Sequence, residues 1–374
     1  MDIESRLGPV LAVAAANAAA VDTEGVFPAA SVAELRRSGL LGLTIPTDEG
    51  GLGAGPEVFS EVVSRLAEVC GSTAMIYLMH IAGTMPIAAA PPSAYPNLLS
   101  ELADGTRLAT LAFSEKGSRS HFWAPMSRAE VSADGIRLNA EKSWVTSAGF
   151  ADVYLVSTQT AEAASPTESD LFVVLGDDPG ATVGPRFTGL GLRGNESSPM
   201  RFDTLVHDSE RVGDVGSGFA TMMGVVLPWF NLGNASVTLG LAKSALDAAV
   251  RHVSGANLAH LDSRLADLPT IRHRIGKAGI LLAAQREYLA ATARKIANPA
   301  DDTLMYVLGA RASVNDAALE ITDQAMRVCG GAAFSKHLPI ERNFRDARAG
   351  HVMAPTSDVL YDFYGKAMCG MELF

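Results

Sequence analysis

Hydrophobic residues recur at helical spacing towards both ends of the chain and in short strand-like runs between them. Ser31 is the residue type of an N-cap, and Pro56 suits a first helical turn. Between the helical parts, the runs VYLVST, DLFVVLG and MRFDTLV are rich in β-branched and aromatic residues, which predicts strands. Apolar positions three and four apart predict helices over 10–21, 31–40, 56–70, 237–253, 268–297 and 304–326.

This order predicts an α+β fold in three parts. Residues 1–104 form an N-terminal helical domain, 105–215 a central antiparallel β domain, and 216–374 a C-terminal helical bundle. Within the β domain, Asp134-Gly135 is the best hairpin signal, because both residues tolerate the positive φ of a tight turn.

The composition is that of an ordinary globular protein, with 374 residues, 48% hydrophobic and 19% charged. A net charge of −11 offers no basic face, which disfavours binding to nucleic acid or to anionic membranes. No apolar run approaches the ~20 residues of a membrane span. The N-terminus lacks the basic start of a signal peptide. We therefore expect a cytoplasmic protein that binds small molecules.

The three cysteines are Cys70, Cys329 and Cys369. Their number is odd, and they form neither a CxxC pair nor a Cys/His cluster with zinc spacing. The sequence therefore indicates neither a disulfide framework nor a metal site.

Residues 108–152 hold the first candidate binding site. Leu108 to Phe113 reads as a buried strand, and Ser114 to Ser120 as a loop of small and hydroxyl residues. Such a loop can present hydroxyls and backbone N–H groups to a polar ligand. Taken alone, the loop is weak evidence, and an ordinary β-turn is the better explanation.

The order and spacing of the motifs carry more information than the loop. Ser-Glu-x-Gly-x-x-Ser, followed by Lys-x-Trp-Val-Thr-Ser-Ala, resembles the middle domain of the acyl-CoA dehydrogenases, which are flavoenzymes. The resemblance implies that Ser114 binds the flavin pyrimidine edge and Ser120 the cofactor phosphates. It also implies that Trp144 flanks the isoalloxazine and that Thr146 bonds near N5.

Motifs in both helical domains resemble the same family. GLLGLTIPTDEGGLGAG matches the N-terminal domain, and QAMRVCGGAAF the C-terminal one. The resemblance implies that Gly330 and Gly331 contact the ADP part of an FAD bound by a neighbouring subunit, and that Thr356 also binds the cofactor. FAD is the expected cofactor, ahead of FMN or a transiently bound reduced flavin. Long apolar helix faces indicate a homodimer or homotetramer.

The family's base is missing from both positions where it is usually found. Most members carry a Glu ten residues after the Arg of Arg-Asp-Ala, where this chain has Ala354. Other members carry the base on the first helix after the β domain, where this chain has Phe230 followed by Asn231. The Arg-x-x-Phe-Gly segment that the family uses on FAD phosphates is also unrecognisable around 255–260.

Three functions therefore stay open. The first is oxidation of an acyl thioester, with CoA as the expected carrier and an electron-transfer flavoprotein as a possible partner. Its base would come from His121, His351 or Asp358, although each is also an ordinary surface or packing residue. The second is an oxygenase on the same fold that depends on a flavin reductase. The third is a silent partner subunit of an active homologue.

Overall fold

The structure is a computed structural model that describes residues 2–373. Along the chain, helices precede and follow a central group of strands, so the predicted order of helices, strands and helices is confirmed. The N-terminal helices are α1 Ile3–Glu24, α2 Ala29–Arg37, α3 Pro56–Val69, α4 Gly71–Ala89 and α5 Leu98–Ala103. The C-terminal helices are α6 Gly218–Thr221, α7 Leu227–Gly255, α8 Pro269–Ala297, α9 Thr303–Cys329, α10 Gly331–Phe334, α11 Ile340–Val352 and α12 Ser357–Met368.

One predicted helix start is wrong. The second helix begins at Ala29 and not at Ser31, because Pro28 immediately precedes it and its ring already fixes φ at a near-helical value of −78°. Ser31 is therefore buried inside α2, and its hydroxyl has no hydrogen-bond partner within residues 2–373. By contrast, Pro56 does open α3 in the first turn, as predicted.

Two sheets form the β domain. The first contains three strands in the order β1-β4-β5, and the second contains four in the order β2-β3-β7-β6. Asp134 and Gly135 join β2 to β3 in the predicted hairpin. The strands are β1 Ala109–Ala112, β2 Glu130–Ser132, β3 Gly135–Val145, β4 Val153–Gln159, β5 Ser169–Leu175, β6 Ala181–Val183 and β7 Ser198–Val206, with a short outlying pair β8 Asn257–Leu258 and β9 Ser263–Arg264.

Among the strands named above for residues 2–373, pairing is antiparallel except at one place. β1 runs parallel to β4, with Ala109 opposite Val153, whereas β4 and β5 pair antiparallel. A parallel neighbour requires a long connection, and here the connection from β1 to β4 carries the loop that begins at Ser114 together with the β2–β3 hairpin. The predicted fold class is confirmed, and this single parallel pair is an addition to it.

The first sheet is buried on both faces, which explains its nearly continuous apolar sequence. On one face, residues such as Leu155 and Val173 join the main core with the helices. On the other face, residues such as Val156 and Phe172 pack against the second sheet in a core of their own. This sheet therefore fixes the β domain against the helical body.

The longest apolar helix runs from Gly218 to Gly255 and includes a π-helical turn at Met222–Val226. By length and composition it is the one helix in residues 2–373 that could cross a membrane. In the fold, however, 83% of its apolar window is buried inside the protein. It contacts α3, α4, α8, α9 and α11, which is the position of a core helix.

The C-terminal helices are tied back to the start of the chain. Arg345 on α11 forms an ion pair of 2.6 Å with Asp22 on α1 and a second one of 2.8 Å with Glu341. The side-chain bond to Asp22 is the main cause that raises the pKa of Arg345 above its ordinary value. These helices and the N-terminal ones therefore form one packed body.

Candidate active site

A cleft opens between the β domain and the helices. Its walls come from α4, from β1 and the loop after it, from β3, from the π-helical turn and α7, and from the segment between α11 and α12. The side chains are mostly apolar. The residues that line it are Met79, Leu111, Phe113, Ser114, Phe122, Trp144, Val226, Phe230 and Ala354.

Backbone pairing places Ser114 beside Trp144. The N–H of Ser143 donates to the Ser114 carbonyl at 2.8 Å, and Glu115 forms an isolated antiparallel bridge with Lys142. The loop after β1 therefore runs alongside the end of β3. Ser114 and Trp144, which the sequence predicts to bind one flavin, consequently line one cleft.

A buried ion pair between Glu115 and Lys142 stabilises the loop after β1. The Glu115 carboxylate accepts bonds from Lys142 Nζ (2.5 Å), from the Met126 and Ser127 N–H groups (2.8 and 2.7 Å) and from Ser127 Oγ (2.6 Å). Lys142 also donates to the Ser157 carbonyl at 2.6 Å. Burial lowers the pKa of Lys142, while Glu115 opposes that shift. Removing either partner would leave an uncompensated buried charge.

Ser120 and Thr356 meet although they lie in different domains. Their hydroxyl oxygens are 3.2 Å apart. Ser120 ends the loop after β1, and Thr356 is the residue immediately before α12. Ser120, which is predicted to bind the cofactor phosphates, is therefore close to the segment that contains Ala354.

Thr146 is buried behind the cleft and is not among the residues that line it. Only 2% of its surface is exposed. Its hydroxyl lies 3.2 Å from that of Ser197, and its carbonyl accepts a bond from Thr110 Oγ1 at 2.9 Å. Its predicted role near flavin N5 stays a prediction.

The two residues predicted to stand at the positions of the family's base face the cleft. Phe230 and Ala354 lie on its wall, and neither side chain can accept a proton. Behind them, the fully buried Arg311 guanidinium stacks over the Phe230 ring at 4.9 Å and donates to the Asn231 amide oxygen at 2.8 Å. Burial lowers the pKa of Arg311 to about 9.

The three proposed replacement bases lie outside the cleft wall. His121 is exposed and packs edge-on against Trp123, with ring centroids 5.1 Å apart. His351 Nδ1 lies 3.2 Å from the Asp316 carboxylate. Asp358 is exposed in the first turn of α12. None of the three is among the residues that line the cleft. To act as the base, its side chain would have to reach the cleft from outside that set.

Gly330 and Gly331 lie on the surface at the end of α9. Gly330 caps the helix with a φ of 54°, in the left-handed region that glycine adopts without strain. Both glycines are exposed, and neither lines the cleft of the same chain. A contact with a neighbouring subunit's FAD stays a prediction. No group of His, Cys, Asp or Glu side chains suited to a metal is present within residues 2–373.

Two residues behind the cleft were missed by the sequence reasoning. His80, next to Met79, bridges the Leu41 carbonyl (2.9 Å) and the Ala109 N–H (3.0 Å), and burial lowers its pKa to about 4. Arg311 was missed because a lone Arg in a helix normally reads as a surface residue. The only available signal was that His80 and Arg311 interrupt otherwise apolar or small-residue helical runs.

Comparison with known proteins gives matches along nearly the whole chain. The N-terminal, middle and C-terminal domain models of acyl-CoA dehydrogenase match residues 10–103, 110–205 and 216–369. The chain belongs to the acyl-CoA dehydrogenase family. It is accordingly a flavin-dependent oxidoreductase with FAD as its cofactor, as the sequence motifs predicted.

Characterised relatives of this acyl-CoA dehydrogenase homologue are distant but nearly full-length. It is 28% identical to the mitochondrial short-chain specific acyl-CoA dehydrogenase of Homo sapiens, over 91% of this chain and 83% of that protein. It is 27% identical to the cyclohex-1-ene-1-carbonyl-CoA dehydrogenase of Geobacter metallireducens, over 95% and 93%. The butyryl-CoA dehydrogenase structure from Megasphaera elsdenii superposes with a TM-score of 0.91 at 22% identity, over 99% and 98% of the two chains, which shows the shared fold.

The residues at the cleft fit a flavin. Trp144 is 55% exposed, with its ring stacked on Phe187 at 4.0 Å, so an aromatic surface borders the cleft. The Ser114 hydroxyl makes no hydrogen bond to any residue within 2–373, which leaves it available to a ligand. Aromatic rings and unpaired hydroxyls are the groups that recognise a planar heterocycle with polar edges.

Proposed function

We propose that this chain uses FAD to oxidise the acyl group of a CoA thioester without a carboxylate at either of the family's base positions. The observation that carries the proposal is the shared cleft of Ser114, Trp144, Phe230 and Ala354. Ser114, Trp144, Ser120, Thr146 and Thr356 would hold the cofactor. When bound, FAD supplies a two-electron acceptor.

The residues of the cleft wall restrict which acyl groups the protein can oxidise. Oxidation at the α and β carbons of a saturated thioester requires removal of a weakly acidic α-proton. The residues that line the cleft include no carboxylate and no histidine. We therefore propose an acyl group whose α-proton is activated by a second carbonyl or by a neighbouring double bond, so that water or the substrate itself can accept the proton.

The apolar wall favours a short, uncharged acyl chain. Met79, Phe113, Phe122 and Val226 offer hydrocarbon and aromatic contacts, and Ser114 is the one hydroxyl among the lining residues. Such a wall binds an acyl chain through apolar burial.

Anaerobic titration of the purified protein tests this proposal. Thioesters with an activated α-proton should bleach the flavin absorption, whereas saturated thioesters of equal length should bleach it far more slowly. Equal bleaching by both classes would contradict the proposal that the substrate needs an activated α-proton. No bleaching by any thioester, together with turnover only when oxygen and a reductase are supplied, would contradict the oxidation of thioesters altogether.

We further propose a cytoplasmic homodimer or homotetramer that passes electrons to an electron-transfer flavoprotein. The support for assembly is a set of large apolar side chains exposed on the C-terminal helices, including Ile280 at 75% and Phe334 at 81%. A soluble subunit normally covers such groups in an interface. Light scattering tests the assembly, and a monomer at micromolar concentration would contradict it.

A further inference from the structure

A buried positive charge lies behind the wall of the cleft. The side chain of Arg311, on α9, has no exposed surface. Its guanidinium carbon lies 4.9 Å from the centroid of the Phe230 ring, and its Nη2 donates to the Met353 carbonyl at 2.9 Å. Phe230 lines the cleft, and so does Ala354, the residue after Met353. The same cation therefore contacts both segments that supply the residues predicted at the positions of the family's base.

The hydrogen-bond partners of Arg311 are neutral. Nη1 donates to the Asn231 amide oxygen at 2.8 Å and Nε to the Asn234 amide oxygen at 3.1 Å, both on α7. Burial is the one cause that lowers the pKa of Arg311, and no titratable side chain of α7, α9, α11 or the segment before α12 contributes to that pKa within residues 2–373. At about 9, the pKa still leaves the guanidinium charged at neutral pH. Its charge is therefore not cancelled by a neighbour.

The cost of this arrangement points to a role for the charge itself. Burial of a charge without an opposite charge is unfavourable, and neutral hydrogen-bond partners offset that cost only in part. An apolar side chain of similar volume could fill the same space without it. The residues that line the cleft include no carboxylate, and a mostly apolar wall screens a charge less than water does. Arg311 therefore makes the electrostatic potential in the cleft more positive.

We propose that Arg311 is a positioning residue that acts through the cleft wall and stabilises the enolate of the bound acyl thioester. This inference rests on the proposed function, in which no carboxylate of the cleft removes the α-proton. In this step the α C–H bond breaks, the proton passes to water, and the electron pair moves onto the thioester carbonyl to form the enolate. A fixed positive charge lowers the free energy of the anion relative to the neutral thioester, which lowers the pKa of the α-proton. Arg311 thereby compensates in part for the absent carboxylate.

The pKa of a bound 3-oxoacyl-CoA tests this inference. The β carbon of this probe is already a carbonyl and carries no hydride, so the flavin-loaded protein binds the probe without oxidising it. The ultraviolet absorption of the enolate, followed in difference spectra over a pH range, gives the pKa of the bound α-proton.

Four variants separate the charge of Arg311 from its structural role. Arg311→Met removes the charge, and Arg311→Lys keeps the charge but loses the planar fork of donors. Asn234→Asp places a negative charge beside Arg311, keeps the hydrogen bond of 3.1 Å and gives up a contact of 3.6 Å with Met353 Sδ. Arg37→Gln, on α2 with 70% of the side chain exposed, removes a charge far from the cleft wall and is the control.

Arg311→Met and Asn234→Asp should each raise the pKa of the bound probe, whereas Arg311→Lys and Arg37→Gln should leave it near the wild-type value. A ligand atom in contact with Phe230 lies roughly 8 Å from the guanidinium, and at an effective dielectric constant of about 20 one charge at that distance shifts such a pKa by about 1–2 units. A purely structural role predicts the opposite order, with Arg311→Lys disturbed and Asn234→Asp unaffected.

An unchanged pKa in Asn234→Asp, with activated thioesters still bleaching the flavin of the wild type, would overturn this inference alone. Asn234→Asp also decides the question if Arg311→Met does not fold. Wild-type protein whose flavin is bleached by no thioester would overturn the proposed function, which is a separate result.

Discussion

The hydroxyl oxygens of Ser120 and Thr356 lie 3.2 Å apart, although 236 residues separate them in the chain. Ser120 belongs to the loop of the β domain, and Thr356 to the C-terminal helical part. A ligand that bonds to both would join the two domains. This contact is the direct geometric support for one cofactor site assembled from distant motifs.

Thr356→Val should reduce FAD affinity by about tenfold, because it removes a hydroxyl at this junction and leaves Ser120 without its partner. The measurement is fluorescence titration of deflavinated protein with FAD. Thr303→Val, which alters a hydroxyl at the start of α9 away from the cleft, is the control. Unchanged FAD affinity in Thr356→Val would show that this hydroxyl does not bind FAD.

Thr146→Val should lower the rate of flavin reduction more than the amount of bound flavin. The substitution removes one hydroxyl and keeps the shape of the buried side chain. Flavin content is measured by absorbance and reduction by anaerobic stopped flow. Ser197→Ala breaks the same Thr146–Ser197 bond from its other side and controls for its structural effect. Equal losses of content and rate would count against a role beside N5.

Ala354→Glu should accelerate reduction by a saturated acyl-CoA at least about tenfold, because it returns a proton acceptor to the cleft wall. The apolar surroundings would raise the pKa of the new carboxyl and strengthen it as a base. Ala354→Gln has nearly the same shape and cannot accept the proton, so it is the matched control. A folded Ala354→Glu variant with unchanged reduction rates would contradict the placement of residue 354 beside the reacting carbons of the substrate. A variant that fails to fold would show that Ala354 is packed core.

Arg311→Met should reduce the free energy of unfolding by about 2–4 kcal/mol. The substitution leaves the Asn231 amide oxygen and the Met353 carbonyl without their donor, at about 1–3 kcal/mol for each buried group. The Asn234 amide oxygen keeps a bond from Asn315 Nδ2 at 3.4 Å. Relief of the buried charge offsets part of this loss. Urea denaturation measures the change, and Arg37→Gln, on α2 with 70% of the side chain exposed, is the control. A neutral result for Arg311→Met would mean that relief of the buried charge outweighs the lost hydrogen bonds.

His80 should make the protein less stable in mild acid. Its folded pKa of about 4 lies below the ordinary value of 6.5, so the unfolded chain binds the proton first. The contribution of neutral His80 to the free energy of unfolding is therefore complete above pH 6.5. It is lost as the pH falls towards 4, where the free energy of unfolding changes by up to about 1.4 kcal/mol per pH unit. Burial raises the pKa of Asp346 to about 6, which acts in the opposite direction. The test is therefore the difference between wild type and His80→Gln at pH 7 and pH 5, and equal slopes would contradict it.

Local signals predicted much of this fold because they act within a few residues. Asp134-Gly135 made its hairpin, and Pro56 opened its helix. Ser31 failed as a cap because Pro28 started the helix earlier. The parallel pairing of β1 with β4 depends on contacts between distant segments, which no local pattern encodes.

Some residues of the site were likewise predictable from local motifs, and others were not. The family motifs located Ser114 and Trp144, and the fold places both in one cleft with Phe230 and Ala354. The contacts of Arg311 and His80 emerged only from the three-dimensional structure. They depend on burial and on neighbours from other segments, which the sequence does not display.

The most direct test of the central claim is a crystal structure of the purified protein with FAD and an unreactive thioester analogue. We predict the flavin ring against Ser114 and Trp144, with the acyl carbons facing Phe230 and Ala354. A colourless protein that cannot be reconstituted, or a flavin bound away from these four residues, would contradict it.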